Sequence, residues 1–278
     1  MRHVRLGWLL AALAFGPTGC APPSALEVTS RDGTGRPVSV PAVFTLPEGP
    51  GPHPAVVLMH GSGGVEGTLQ SGWAETFRKA GIATLVLDSF RGRGISSTVM
   101  TAGIDKFHLP TERVWDAHAA ATWLRARPDI DPRRLVLMGQ SQGGMVVLNA
   151  QQRIAGIKYD DFAAFIALYP LCGGTPMNVT YERPTLILIG ADDDYTPAEQ
   201  CELLVAYKKE MRDPVPELRV YPKAVHSFDV PGRGGPITAH VDGRMITARL
   251  EYSPSARQAA EGDAMAFIRR AFAAPHPN

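Results

Sequence analysis

No block of like charge stands out in the 278 residues, and the formal net charge is only +1. That argues against a nucleic-acid partner, whose phosphates call for a clustered basic footprint. Internal repeats are absent, which sets aside solenoids and propellers. Low-complexity tracts are absent too: the 28 glycines and 24 prolines are scattered, as expected for many tight connections. Beyond the N-terminus, no apolar stretch approaches the length that crosses a bilayer. What remains is an ordinary globular balance, 45% hydrophobic and 20% charged, with ample material for one large core.

The N-terminal segment differs. "MRHVRLGWLLAALAFGPTGCAPPS" opens with Arg2 and Arg5, runs apolar from Leu6 to Phe15, then turns small and polar. This is the layout of a bacterial export signal over residues 1–20, followed by a short tether at 21–24. Gly19-Cys20-Ala21 resembles a lipoprotein cleavage box, which would lipidate Cys20 and anchor the chain on the periplasmic side of the envelope. Pro17 stands where the usual leucine would be. Cysteine is otherwise scarce, at positions 172 and 201 only. Consuming Cys20 leaves an even pair in an oxidising compartment, where a disulfide can persist, although spacing alone does not establish it.

Residues 25–275 read as one domain. Two strands joined by the turn at 31–35 come first. Continuous apolar runs follow: "HPAVVLM", "IATLVLD" (82–88), "RLVLMG" (134–139), "FAAFIALYP" (162–170) and "PTLILIG" (184–190). Such runs suit strands covered on both faces. Helical stretches lie between them at 69–80, 111–127, 142–154 and 197–211, and another closes the chain at 254–273. The stretch at 111–127 is expected to start on a Thr111 cap. Strand alternating with helix implies an α/β fold with a mostly parallel, doubly wound sheet flanked by helices.

Reactive groups in such a sheet gather at the carboxyl ends of the strands. Gly139-Gln140-Ser141-Gln142-Gly143 matches G-x-S-x-G between a strand and a helix, the context that motif requires. The turn that lifts the serine above the sheet crowds the backbone two residues to either side, and glycine relieves the crowding. A serine nucleophile needs a base, and the base an orienting acid, in the order Ser, Asp or Glu, His. Of the histidines after Ser141, His276 lies in the terminal "APHPN" and His240 sits deep in a glycine-rich loop. His226, after "ELRVYPKAV", is the base of choice. The acid falls in Asp192-Asp193-Asp194, where the residues alone leave the choice open and Asp193 is merely the middle one. "MHGSGG" (59–64) and the helix after Ser141 supply backbone amides for an oxyanion: Ser62 N–H, with Gly63 next, and Gln142 N–H. No Walker lysine follows that glycine run, which weakens a phosphate-cradling alternative. His60 reads as a structural loop residue.

"LMHGSGG", "LDSFRGRG", "GQSQGG", "GADDDYTPAEQC" and "YPKAVHSFD", in this order, resemble the dienelactone hydrolase family of α/β-hydrolases. The resemblance implies the α/β-hydrolase fold and no metal or organic cofactor. Family members tend to carry the acid in G-x-x-D-x-x-x-P, which on Gly190 and Pro197 selects Asp193. It also implies a Cys172–Cys201 bridge, since cysteines recur at these places in the exported branch. The founding enzyme has a cysteine nucleophile where this chain has Ser141, which points away from the dienelactone and toward general esters. Arginines hold the substrate carboxylate in that enzyme, and Arg91 and Arg93 are the candidates here for similar work.

The expectation is thus a serine carboxylesterase acting on a small-molecule ester through an acyl-enzyme. A peptidase or thioesterase of the same fold, or an exported non-catalytic binding protein, is the alternative. No inserted lid is visible, so an open site is expected.

Overall fold

The computed structural model describes residues 26–101, 105–152, 162–175, 178–241 and 244–274. The export segment, the tether, Cys20 and His276 lie outside the described residues. Eight strands form one sheet in the order β1-β2-β4-β3-β5-β6-β7-β8. They are β1 (Glu27–Arg31), β2 (Pro37–Thr45), β3 (His53–Met59), β4 (Ala83–Leu87), β5 (Ile130–Gln140), β6 (Ala164–Leu168), β7 (Thr185–Gly190) and β8 (Glu217–Tyr221). β1 and β2 are antiparallel additions at one edge, and β3 to β8 pair in parallel.

The sequence pattern explains the layering. Every residue of β4 (ATLVL), β6 (AFIAL) and β7 (TLILIG) is buried, as a strand with helices on both faces requires. The edge strand β8 (ELRVY) keeps charged residues and partial exposure. Helices α1 (Val65–Gln70) and α2 (Trp73–Lys79) connect β3 to β4, moving one way across the sheet. α3 (Asp105–Arg125), α4 (Gln142–Asn149) and α5 (Ala198–Glu210) make the crossovers in the opposite direction. Right-handed crossovers therefore place α3, α4 and α5 on one face and α1 and α2 on the other. The last helix, α6 (Pro254–Ala273), packs beside α2, where Thr76 donates a hydrogen bond to Glu261 at 2.9 Å. This is the mostly parallel, doubly wound sheet expected from the sequence.

Three elements depart from expectation. α3 begins at Asp105 and carries Pro110 inside it, so Thr111 is not its cap. The stretch at 69–80 is two short helices, α1 and α2, with the left-handed Gly72 between them. The glycine-rich loop expected around His240 holds an antiparallel hairpin, β9 (Gly234–Val241) and β10 (Arg244–Glu251), separate from the main sheet. Ala239, Ala248 and Leu250 of the hairpin form a small core of their own with Tyr195, against which Val99, Ile237, Val241 and Ile246 pack.

Candidate active site

Ser141 stands between β5 and α4 with φ 54° and ψ −116°, a strained left-handed-side conformation for a residue with a side chain. Two glycines make the corner possible. A β-carbon on Gly139 would run into the carbonyl of Gly143, and one on Gly143 into the carbonyl of Met59. The Ser141 N–H is held by the Leu168 carbonyl of β6 at 2.9 Å.

The structure brings Ser141, His226 and Asp193 together from the carboxyl ends of three strands. Ser141 Oγ lies 3.0 Å from His226 Nε2, and His226 Nδ1 lies 2.9 Å from Asp193 Oδ2. Both partners are buried, His226 at 2% exposure and Asp193 at 4%. Asp193 is further held by the backbone N–H groups of Tyr195 and Thr196, at 2.9 and 2.8 Å, and by the Thr196 hydroxyl at 3.0 Å. Burial by itself raises the pKa of this carboxyl. The nearby His226 and these hydrogen bonds outweigh that, and the net shift is below the ordinary value. The two neighbouring aspartates are exposed, and Asp194 accepts from the N–H of Arg249 on β10 at 2.9 Å. The imidazole is wedged between the rings of Tyr169 and Tyr195, with centroids 4.6 and 4.7 Å away.

A buried carboxylate knits these parts from below. Asp229, three residues after His226, accepts from Trp73 Nε1 (2.7 Å), Gln140 Nε2 (2.6 Å) and the Tyr169 hydroxyl (2.7 Å). Arg257 of α6 approaches it at 3.9 Å and lies over the Trp73 ring. The residue preceding the nucleophile, the aromatic wall and the histidine loop therefore share one anchor. Burial, then the charge of Asp229, raises the Tyr169 phenol well above its usual value, so it stays a donor.

Two clefts meet at Ser141, sharing Ser62 and Tyr195 as walls. The first, about 520 Å³ and open to solvent, is lined by His226, Ser227, Thr68, Val99, Arg233 and the glycines of the 61–64 turn, among others. The second, about 420 Å³, is lined by Gln142, Met145, Leu171, Thr196 and Val241. Ile237 and Leu250 of the hairpin also line the first cleft, so the hairpin forms part of its wall. Gln142 opens α4, where the first amides have no partner within the helix, and lines the second cleft. Ser62 faces it with its carbonyl already engaged by Thr98 N–H (2.8 Å) and the Ser97 hydroxyl (3.1 Å), which fixes the orientation of that turn.

Among the described residues no group of three or more His, Cys, Asp and Glu side chains is placed to hold a metal ion. No helix among them is long and apolar enough to cross a membrane.

The sequence profile of the dienelactone hydrolase family matches residues 40–272. The chain belongs to the dienelactone hydrolase family. Solved structures agree on the fold. A candidate dienelactone hydrolase from Klebsiella pneumoniae superposes with a TM-score of 0.66 at 18% identity, covering 88% of this chain and 98% of that one. An esterase from Thermogutta terrifontis superposes at 0.60 and 18% identity, covering 92% and 97%. A lidless α/β serine hydrolase from Xanthomonas campestris superposes at 0.57 and 20% identity, covering 92% and 99%. Among curated relatives, an uncharacterised Escherichia coli protein is 32% identical over 115 residues, covering 41% of this chain and only 38% of that relative's length. An uncharacterised Mycobacterium tuberculosis protein is 26% identical over 179 residues, 58% of this chain and 59% of its own. The chain thus spans under two thirds of the curated relatives it matches.

For this family member, the arginines suggested by resemblance do not line either cleft. Arg93 grips Asp116 of α3 with both terminal nitrogens, at 2.8 and 2.9 Å, and is a structural ion pair. Arg91 is exposed on a single turn of 3-10 helix. The cation at the first cleft is Arg233, exposed at its rim. His240 sits on β9, paired in register with Met245, and lines neither cleft. His60 is wholly buried against the Phe90 ring. Cys172 and Cys201 form a disulfide, with Cα atoms 5.0 Å apart, tying the segment after β6 to α5. Tyr169, Tyr195, Asp229 and the hairpin were not anticipated. Only the hairpin had a local signal, the dipeptide Asp242-Gly243 between two alternating runs.

Proposed function

We propose that the chain is a serine hydrolase that cleaves carboxylic esters through an acyl-enzyme. His226 Nε2 takes the proton of the Ser141 hydroxyl as its oxygen attacks the ester carbonyl. Asp193 holds the imidazole tautomer and stabilises the imidazolium that forms. The oxyanion is received by the N–H groups of Ser62 and Gln142. His226 then gives its proton to the departing alkoxide, and a water activated by the same imidazole hydrolyses the acyl-Ser141 ester. The chain of contacts from Ser141 Oγ through His226 to Asp193 carries this reading. The dienelactone hydrolase family match and the esterase among the structural neighbours support an ester substrate.

The two clefts take the two halves of the ester. The leaving group must lie on the side of the base that protonates it, so the cleft lined by His226 receives the alcohol. The apolar cleft beside Gln142, lined by Met145, Leu171 and Val241, receives the acyl chain. Work on the periplasmic side of the envelope, with Cys20 lipidated, is part of the same proposal. The disulfide supports an oxidising compartment.

A fluorophosphonate probe tests the nucleophile. The folded protein is expected to label, and Ser141→Ala to abolish labelling. A folded wild type that does not label points to a binding protein that kept the fold without turnover.

A further inference from the structure

Behind the proposed oxyanion amides lies a buried cation with no carboxylate in contact among the described residues. Arg113 of α3 is fully buried. Its Nη2 donates to the carbonyl of His60 at 2.6 Å, and its Nη1 to Oε1 of Gln142 at 3.0 Å. Its Nε has no hydrogen-bond partner among the described residues. One guanidinium thereby spans the two backbone segments that carry the Ser62 and Gln142 amides. The Thr98 hydroxyl shares the same Gln142 oxygen at 3.4 Å, while Thr98 N–H holds the Ser62 carbonyl.

Nearby carboxylates act on this charge only through space. Asp116, one turn along α3, gives both oxygens to Arg93. His60 adds nothing, because burial, and then the Arg113 charge, keeps its pKa well below the ordinary value and the ring neutral. Burial also presses Arg113 down to about 9; Asp116 and Asp88 oppose that and Arg93 adds to it. The guanidinium is still charged at neutral pH. Asp116 is taken up by Arg93, which also faces Glu112 at 3.9 Å, so Arg113 sits behind the two amides with no carboxylate among the described residues in contact with it. An apolar side chain would fill the same space without the desolvation that a buried charge incurs. What the arginine adds is geometry and field.

We propose that Arg113 is a positioning residue of the oxyanion hole, setting the spacing between the 60–62 turn and the start of α4 and stabilising negative charge that develops in front of them. The inference rests on Ser141 being the nucleophile. Preorganised dipoles and charges act mainly on the transition state, so the effect belongs in kcat and not in ground-state binding.

The experiment compares wild type, Arg113→Lys, Arg113→Gln and Gln142→Met with p-nitrophenyl acetate. Folding is checked by circular dichroism, and affinity is measured for an alkylboronic acid, which forms a tetrahedral adduct on Ser141. Arg113→Gln is expected to lower kcat by about 100-fold, the scale of losing one oxyanion donor. KM should stay within about threefold, and boronate affinity should fall with kcat. Arg113→Lys, which keeps the charge but reaches one acceptor, should recover part of the loss. Gln142→Met, which removes an acceptor but leaves the Gln142 backbone N–H in place, should lose about tenfold. It carries the test if the Arg113 variants do not fold. Folded variants with unchanged kcat, or with losses confined to KM and no loss of boronate affinity, overturn the proposal while Ser141-dependent labelling keeps the esterase reading intact. A wild type that neither labels nor turns over overturns both.

Discussion

At the scale of single residues, one aspartate of three is set apart by burial. Asp192 and Asp194 are exposed, whereas Asp193 is enclosed and receives two backbone amides, a hydroxyl and His226. His226→Ala and Asp193→Asn are each expected to cut p-nitrophenyl acetate hydrolysis by at least ~100-fold, the scale of general-base and triad effects. Asp192→Asn and Asp194→Asn should leave the rate within about threefold of wild type. The pKa of Asp193 is lowered on folding, so its ionised form favours the native state. That contribution is fully present above the ordinary aspartate pKa, about 4, and is lost as the pH falls through the lowered value. Asp193→Asn should therefore flatten the acid limb of stability in urea melts taken from pH 6 downward. A wild-type acid limb no steeper than the variant's would contradict this.

At the scale of elements, the hairpin changes the expected character of the site. Its residues alternate because one face packs on Tyr195 and the cleft while the other meets solvent. It is tied to the loops carrying Asp193 and His226 at two points, Arg249 N–H to Asp194 Oδ1 and Glu251 N–H to His226 O. Val241 of this element lines the cleft proposed to take the acyl chain. Val241→Phe is expected to lower the hexanoate-to-acetate ratio of kcat/KM by about tenfold or more, from the ~1–3 kcal/mol that a methylene-sized misfit costs in an apolar pocket. An unchanged ratio across a panel of p-nitrophenyl esters would place the acyl chain elsewhere.

At the scale of the whole molecule, the sheet sets strand ends carrying Ser141, Asp193 and His226 side by side at one edge. The disulfide adds a covalent tie across a separation of 29 residues, between the segment after β6 and the helix that follows the acid loop. Breaking such a loop closure typically costs ~2–4 kcal/mol. A Cys172→Ala, Cys201→Ala double variant should melt roughly 5–15 °C lower, by calorimetry, for a domain of this size. An intact protein assayed without reductant should show no free thiol at these two positions. Two reactive thiols there, or an unchanged melting temperature, would contradict the role assigned to the bridge.

Residue order by itself determined the parallel sheet, because unbroken apolar runs suit only strands covered on both faces. It also determined the corner at Ser141, because crowding two residues to either side admits glycine there. The order of serine, aspartate loop and histidine was legible for the same reason: each stands just after a strand whose end is marked in the sequence. Among three adjacent aspartates the residues alone left the choice open and the family resemblance selected Asp193; the physical reason came from the fold, since burial and amide contacts are properties of the assembled loop. The fates of Arg93 and Arg113 needed it as well. Nothing local distinguishes a surface arginine from one paired beneath a sheet or wedged behind a turn, because the partners, Asp116, His60 and Gln142, converge only when α3 packs across strands distant in the chain.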